Sequence, residues 1–268
     1  MVIGGRSFQT DSEVYVMGIL NVTPDSFSDG GKYKTIDDIL HRVDQMIREG
    51  VDIIDIGGES SRPGYTMISD EEEIDRVAGV IDKVKYKFNI PISLDSYKST
   101  VAEAGIQVGA DMINDIWGLK YDSKMAEVIA KHNVACCLTH NRRENQYENF
   151  LQEVTSDLTE CINIAVKGGI SIDRLIVDPG IGFGKDTKQN LLLLQNLEFL
   201  KYLGYPILVG ASRKSVIGNT LQLPVGERLE GTIAISVLSA IKGCSFVRVH
   251  DVAANKRAIQ MTQAILKA

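Results

Sequence analysis

Polar side chains of a few kinds recur at one place in this sequence, directly after short apolar runs. They are Asn21, Asp55 with the Gly57–Gly64 stretch, Asp95, Asn114, His140, Asp178, Gly210 leading into Ser212-Arg213-Lys214, and Arg248 with His250. One charged residue after an apolar run is an ordinary loop residue; so many at the same place in successive units call for a common cavity. The types divide by chemistry. Asp95, Asn114 and Asp178 offer carboxylate and amide groups that suit a heterocycle with several N–H donors. Arg62, Lys214, Arg248 and His250 offer cations that suit phosphate. Asn21 offers an amide oxygen, an acceptable ligand for a hard cation such as Mg2+. From residue types alone, the expected ligand is a phosphorylated, nitrogen-rich small molecule.

The apolar runs that must position these groups are Val14–Leu20, Asp52–Ile56, Ile92–Asp95, Met112–Asn114, Val134–Thr139, Leu175–Asp178, Ile207–Gly210 and Phe246–Val249. They are short, rich in Val and Ile, and continuous, as strands buried on both faces should be. Helical patterns fill the gaps, at Asn149–Lys167, Asn190–Tyr202, Glu227–Ile241 and Ala254–Leu266. Thr35 with Asp38, and Ser69 with Glu72, read as helix starts, the second as a capping box. Eight βα units in 268 residues predict an α/β fold, a TIM (β/α)8 barrel with a small N-terminal hairpin around Gly4-Gly5 lying over the barrel bottom. An open doubly wound sheet is the competing architecture, weakened because no GxGxxG follows the first strand. With no linker, low-complexity stretch or repeat, residues 1–268 read as one domain. The strand ends, where the polar residues lie, are where a barrel keeps its active site.

Composition narrows the class. The chain is 44 % hydrophobic and 24 % charged with a formal net charge of −6, and it shows no basic stripe, which argues against a nucleic-acid partner. No apolar run is long enough to span a membrane, so no membrane partner is expected. The start, Met1-Val2-Ile3-Gly4-Gly5-Arg6, lacks a charged-then-apolar signal pattern, and a cytoplasmic location is expected. Cys136, Cys137, Cys161 and Cys244 include no CxxC pair, and they read as small buried hydrophobes.

Two longer segments are more specific. Met17-Gly18-Ile19-Leu20-Asn21-Val22-Thr23-Pro24-Asp25-Ser26-Phe27-Ser28-Asp29-Gly30-Gly31 and Asp55-Ile56-Gly57-Gly58-Glu59-Ser60-Ser61-Arg62-Pro63-Gly64 resemble the two signatures of the dihydropteroate synthase family. Asp95-Ser96-Tyr97-Lys98, Ile113-Asn114-Asp115, the Asp178–Lys185 segment, Gly210-Ala211-Ser212-Arg213-Lys214-Ser215 and Arg248-Val249-His250-Asp251-Val252 continue the resemblance in order. It implies a TIM barrel that condenses 6-hydroxymethyl-7,8-dihydropterin diphosphate with 4-aminobenzoate, giving dihydropteroate and pyrophosphate with Mg2+ assisting. By similarity Asp95, Asn114, Asp178 and Lys214 would hold the pterin, with Asp95 and Lys214 nearest the chemistry and Phe183 walling the pocket. Asn21 would ligate Mg2+. Ser61, Arg62, Arg248 and His250 would meet the diphosphate, and Phe27, Pro63 and Ser215 would shape the aminobenzoate site. The resemblance also implies a homodimer through the late helices. One segment departs from the family pattern: Thr139-His140-Asn141 stands where many members carry Met-His-Met.

Plainer roles compete for several of these residues. Asn114 and Asp95 could cap following helices. His140 and Asp55 read as structural or supporting groups, His41 and His132 as helix-surface residues, and Lys98 and Lys185 as solvated charges or helix-start partners. Glu71-Glu72-Glu73 reads as an acidic helix start, and Leu191–Leu194 as core or subunit interface. Among functions, a corrinoid-dependent methyltransferase on the same kind of pterin-binding barrel would have no use for the Thr23–Gly31 and Ser61-Arg62-Pro63 stretches. A catalytically silent pterin-binding paralogue would be expected to have lost one of the polar positions.

Overall fold

The computed structural model describes residues 1–22, 35–59 and 66–268. A two-residue-per-strand hairpin, β1 (Val2–Ile3) and β2 (Arg6–Ser7), opens the chain. Eight strands follow: β3 (Tyr15–Asn21), β4 (Ile53–Gly57), β5 (Ile92–Asp95), β6 (Met112–Asp115), β7 (Ala135–Thr139), β8 (Leu175–Asp178), β9 (Leu208–Val209) and β10 (Phe246–Val249). All of their pairings are parallel, in the order β8-β7-β6-β5-β4-β3-β10-β9. A parallel bridge from Val177 to Ile207 brings β8 against the start of β9 and closes the cylinder.

The helices are α1 (Ile36–Arg48), α2 (Asp70–Lys87), α3 (Ser99–Gln107), α4 (Met125–His132), α5 (Phe150–Lys167), α6 (Thr187–Gln195), α7 (Ser215–Leu221), α8 (Leu229–Ile241) and α9 (Val252–Leu266). Thr35 and Asp38 form a reciprocal capping box at α1. At α2 only half of one forms: the Ser69 hydroxyl accepts from the Glu72 amide, while the Glu72 carboxylate pairs with Arg76 one turn on. The stretch expected as one helix over Asn190–Tyr202 divides at Asn196 into α6 and a 3-10 segment, Leu197–Leu203. The Leu191–Leu194 run divides too, with Leu193 and Leu194 buried and Leu191 and Leu192 exposed.

Side chains alternate across each strand, and the core is double in consequence. Ile54, Ile56, Leu94, Ile113, Cys136, Leu138, Val177, Val209 and Val247 face outward and pack under the helices. Met17, Ile53, Met112, Ala135, Cys137, Ile176, Leu208 and Phe246 face inward and fill the lower barrel. Ile3 and Phe8 of the hairpin join that inner cluster, with the Phe8 ring edge-on to Tyr15 at 4.8 Å and tilted against Phe246. The hairpin therefore plugs the bottom, as its place before the first barrel strand predicts. All four cysteines are buried and unbridged.

Candidate active site

The same period of two that fills the lower barrel with hydrocarbon lines its upper mouth with polar groups. Two residues above Ile53 stands Asp55, above Met112 Asn114, above Ile176 Asp178, and above Phe246 Arg248 and then His250. Strand register then sets the height of each. Asn21, Gly57, Asp95 and Asn114 are successive partners across β3, β4, β5 and β6, and Thr139 pairs with Asp178. Gly57 keeps space open within that row: a Cβ there would lie 3.7 Å from Asn21 Oδ1 and 3.7 Å from Asp95 Oδ2, so both side chains lean over it.

Charge in the mouth is compact. Arg248 donates from Nε to Asp55 Oδ2 at 2.6 Å and from Nη2 to Asp95 Oδ2 at 2.5 Å, bridging two carboxylates. Asp55 is fully buried, and its Oδ1 has no partner among the described residues. Burial, reinforced by the neighbouring Asp55, pushes the Asp95 carboxyl up to about 7 against the pull of Arg248. Asp178 is also buried and raised, chiefly by burial, while Lys214 and the Gly180 amide, which donates to its Oδ1 at 2.7 Å, draw it back down. Lys214 is lowered to about 8 by burial, and Asp178 opposes that shift. Asp55, Asp95 and Asp178 thus face Arg248 and Lys214: three acids against two cations. A proton is most readily taken up where burial and a like charge coincide, which is at Asp95.

Lys214 owes its place to a strained neighbour. Arg213 holds a left-handed φ of 57° and is anchored by two hydrogen bonds to Asp251, at 3.0 and 2.6 Å. Such a conformation costs a side-chain-bearing residue about 1 kcal/mol or more and persists only where the surroundings hold it. The Lys214 ammonium donates to the Ile181 carbonyl at 2.6 Å and lies 4.2 Å from the centre of the Phe183 ring. Ser215 begins α7 with its side chain in solvent. The Ser212 hydroxyl sits 2.9 Å from His250 Nδ1 and accepts from the His250 amide. Asn114 is 3 % exposed, and its Oδ1 has no partner among the described residues. It is the penultimate residue of β6, eleven residues before α4 begins, and it caps no helix, contrary to the capping role the sequence allowed. Phe27, Ser61, Arg62 and Pro63 lie outside the described residues.

Two lysines expected as solvated charges or helix-start partners are not solvated: both are held in ion-pair or hydrogen-bond networks, and Lys98 alone keeps a helix-start position. Lys98 occupies the position before α3, but its side chain is buried and donates to Glu59 Oε2 and the Ile68 carbonyl at 2.8 Å, with Glu73 Oε2 equally close. Glu59 also accepts from the Tyr97 hydroxyl and the Ile68 amide. Glu73 is therefore a buried ion-pair partner, in addition to its place in the acidic first turn of α2. Lys185 turns inward to His140 Nδ1, and His140 reaches Asp157.

The mouth thus presents both hydrogen-bond donors and acceptors, among them the unpartnered Asn114 Oδ1. The family model described as pterin binding enzyme matches residues 17–250, and the chain belongs to that family of barrels. Within it the relatives are dihydropteroate synthases: that of Clostridium beijerinckii is 55 % identical over 268 residues, which is 100 % of each chain. Among solved structures, the dihydropteroate synthase of Clostridium difficile in the presence of pteroic acid superposes with a TM-score of 0.94 at 46 % identity, covering 98 % of this chain and 100 % of that one. The enzyme of Xanthomonas albilineans with 4-aminobenzoic acid gives 0.93 at 40 % identity, over 99 % and 97 %.

Proposed function

We infer that the chain condenses 6-hydroxymethyl-7,8-dihydropterin diphosphate with 4-aminobenzoate, forming 7,8-dihydropteroate and releasing pyrophosphate in folate biosynthesis. The observation that carries this reading is the convergence of Asp95, Asn114, Asp178, Lys214 and Arg248, from five separate strand ends, on one mouth above an apolar plug. A methyltransferase on a related barrel would share the acids but gives no account of the overall likeness to dihydropteroate synthases along the full chain.

Each group has a task its chemistry suits. Asp178 accepts paired hydrogen bonds from the ring amide and 2-amino group, as a carboxylate does from a guanidinium. Asn114 presents its unpartnered buried oxygen to a ring N–H. Lys214 directs its ammonium toward the pterin carbonyl while the Phe183 ring walls the pocket. The bond between the exocyclic methylene and the diphosphate oxygen breaks, its electron pair leaving with pyrophosphate. Asp95 offsets the positive charge left on the pterin. The aminobenzoate nitrogen then bonds to the methylene and loses a proton. Arg248 exchanges its carboxylate partners for the departing diphosphate, beside His250 and, from outside the described residues, Ser61 and Arg62. Ser215, at the exposed start of α7, receives the benzoate carboxylate, with Phe27 and Pro63 forming its slot.

Mg2+ would be held by Asn21. One amide oxygen leaning over Gly57 fits that ion, which takes most of its shell from water and substrate phosphates. No group of three or more acidic, His or Cys side chains poised to hold a metal stands among the described residues. The ion would neutralise charge on the leaving diphosphate. Among the described residues no helix is long and apolar enough to cross a membrane, and we place the enzyme in the cytoplasm. We also propose a homodimer through the late helices, where Ile241, Met261, Ile265 and Leu266 are exposed.

Pyrophosphate release with both substrates and Mg2+ tests the activity, and absence of release with fresh substrates rejects it. A chelator should abolish release and added Mg2+ restore it. Asp178→Ala should leave ring donors unpaired and cost about 1–3 kcal/mol or more of pterin affinity by calorimetry; an unchanged affinity rejects that assignment.

A further inference from the structure

Between β8 and α6 the chain runs Pro179-Gly180-Ile181-Gly182-Phe183-Gly184-Lys185, and nearly every residue of it is tied down. The Lys185 amino group, lowered to about 7 by burial against the pull of Asp178 and Asp157, is the centre of the turn. It donates to the Gly180 carbonyl and the Phe183 carbonyl, each at 2.9 Å, and to His140 Nδ1 at 2.7 Å. The three acceptors come from both ends of the turn and from the end of β7. The Asp157 carboxylate, fixed by Arg142, lies 3.0 Å from His140 Nε2 and can only accept, so the ring proton is assigned to Nε2 and Nδ1 is left to accept from Lys185. The imidazole is held neutral, since burial pushes it down to about 4. The His140 carbonyl is part of the same fit: a Cβ on Gly180 would lie 1.8 Å from it, and Gly180 has a φ of 71°.

On its other side the turn meets the ligand groups. The Gly180 amide holds Asp178 Oδ1, the Ile181 carbonyl receives Lys214, and Phe183 stacks under the Lys214 ammonium. We propose that Lys185 is a positioning residue for the pterin subsite: seated on His140, it locks the 179–185 turn and thereby fixes Asp178, Phe183 and Lys214 relative to one another. It touches no reacting atom in this scheme. The inference rests on the synthase reading, and it goes beyond it by assigning the subsite's rigidity to one ammonium outside the ligand shell.

The test uses the full-length enzyme. Lys185→Met removes the ammonium and keeps most of the stem. Calorimetry with the pterin diphosphate should show an affinity loss of about tenfold or more, the scale of a charge-assisted hydrogen bond set removed from a buried site. The KM for 4-aminobenzoate at saturating pterin should stay within about twofold, because that subsite lies on other loops, and about twofold is a few tenths of a kcal/mol. Lys185→Gln, which keeps two N–H donors, should recover part of the loss; it also stands in should the Met variant fail to fold by circular dichroism. Pterin affinity within about twofold of the parent, or equal losses for both substrates, overturns the proposal. If the parent itself releases no pyrophosphate, the synthase reading fails, and that outcome is separate from the behaviour of the variants.

Discussion

Asp95 and His140 illustrate how burial sets the working state of single residues in this barrel. Asp95 shares one guanidinium with Asp55 and is raised to about 7 by burial, so the carboxylate proposed to answer positive charge on the pterin is also one that can be lost to protonation. Asp95→Asn should lower kcat by about a hundredfold while changing pterin affinity by no more than a few-fold. Pre-steady-state bond breaking at the parent rate would remove Asp95 from that role. His140 is lowered, so its contribution to stability is present above the ordinary histidine range and is lost as pH falls from about 6.5 through about 4. The loss over that window is on the order of 3 kcal/mol at most. His140→Gln should flatten this part of the curve, read as urea midpoints at pH 7 and 4.5; an equal acid loss in the variant would exclude His140 as its source. Asp95, Asn114 and Asp178 were legible in the sequence because a polar residue closing an apolar run has one place to go in a barrel. Lys98 and Lys185 were not, because Glu59, Glu73 and His140 reach them from other segments, and local spacing carries no trace of such partners.

At the level of elements, short-range chemistry is the part that reads directly. The helix start expected at Thr35 with Asp38 formed, and it carries a full capping box between residues three apart, whereas the box expected at Ser69 with Glu72 is only half made. Thr35→Ala should cost about 1 kcal/mol of stability in urea unfolding, with kcat unchanged; no loss would mean the cap is solvated in practice. The break between α6 and the following 3-10 segment was invisible, since the Asn190–Tyr202 stretch contains neither Gly nor Pro. Asn196 makes it, with a φ of −117° that leaves the α region and a side chain that donates back to the Leu192 carbonyl. The strand that begins at Ile207 shortened to Leu208–Val209 for a comparable reason: its first residue is spent on the bridge to β8, and its last turns away to deliver Lys214.

The whole molecule divides by height into a hydrocarbon base and a polar mouth, and the two should respond to mutation independently. Phe8 is buried in the base against Tyr15 and Phe246. Phe8→Ala should destabilise by about 3–5 kcal/mol through the cavity it leaves. Below the unfolding transition, KM for both substrates should match the parent; altered KM values would show that the base reaches the site. Eight βα units were countable in the sequence and predicted the barrel, whereas the register of each parallel pair around the sheet was not legible, because it depends on contacts between segments far apart in the chain.

That closure is uneven. Between β8 and β9 the wall is stitched by one bridge, reinforced by the Val177 amide on the Pro206 carbonyl, whereas the other junctions carry ladders of two to five paired residues. Asp178 stands on one lip of this seam, and the segment leading to Lys214 departs from the other. The cylinder can therefore spread there by a small shear that leaves its longer ladders intact. The distance it would change first is the one separating Asp178 from Lys214, so the gauge of the mouth is set at the weakest joint of its frame.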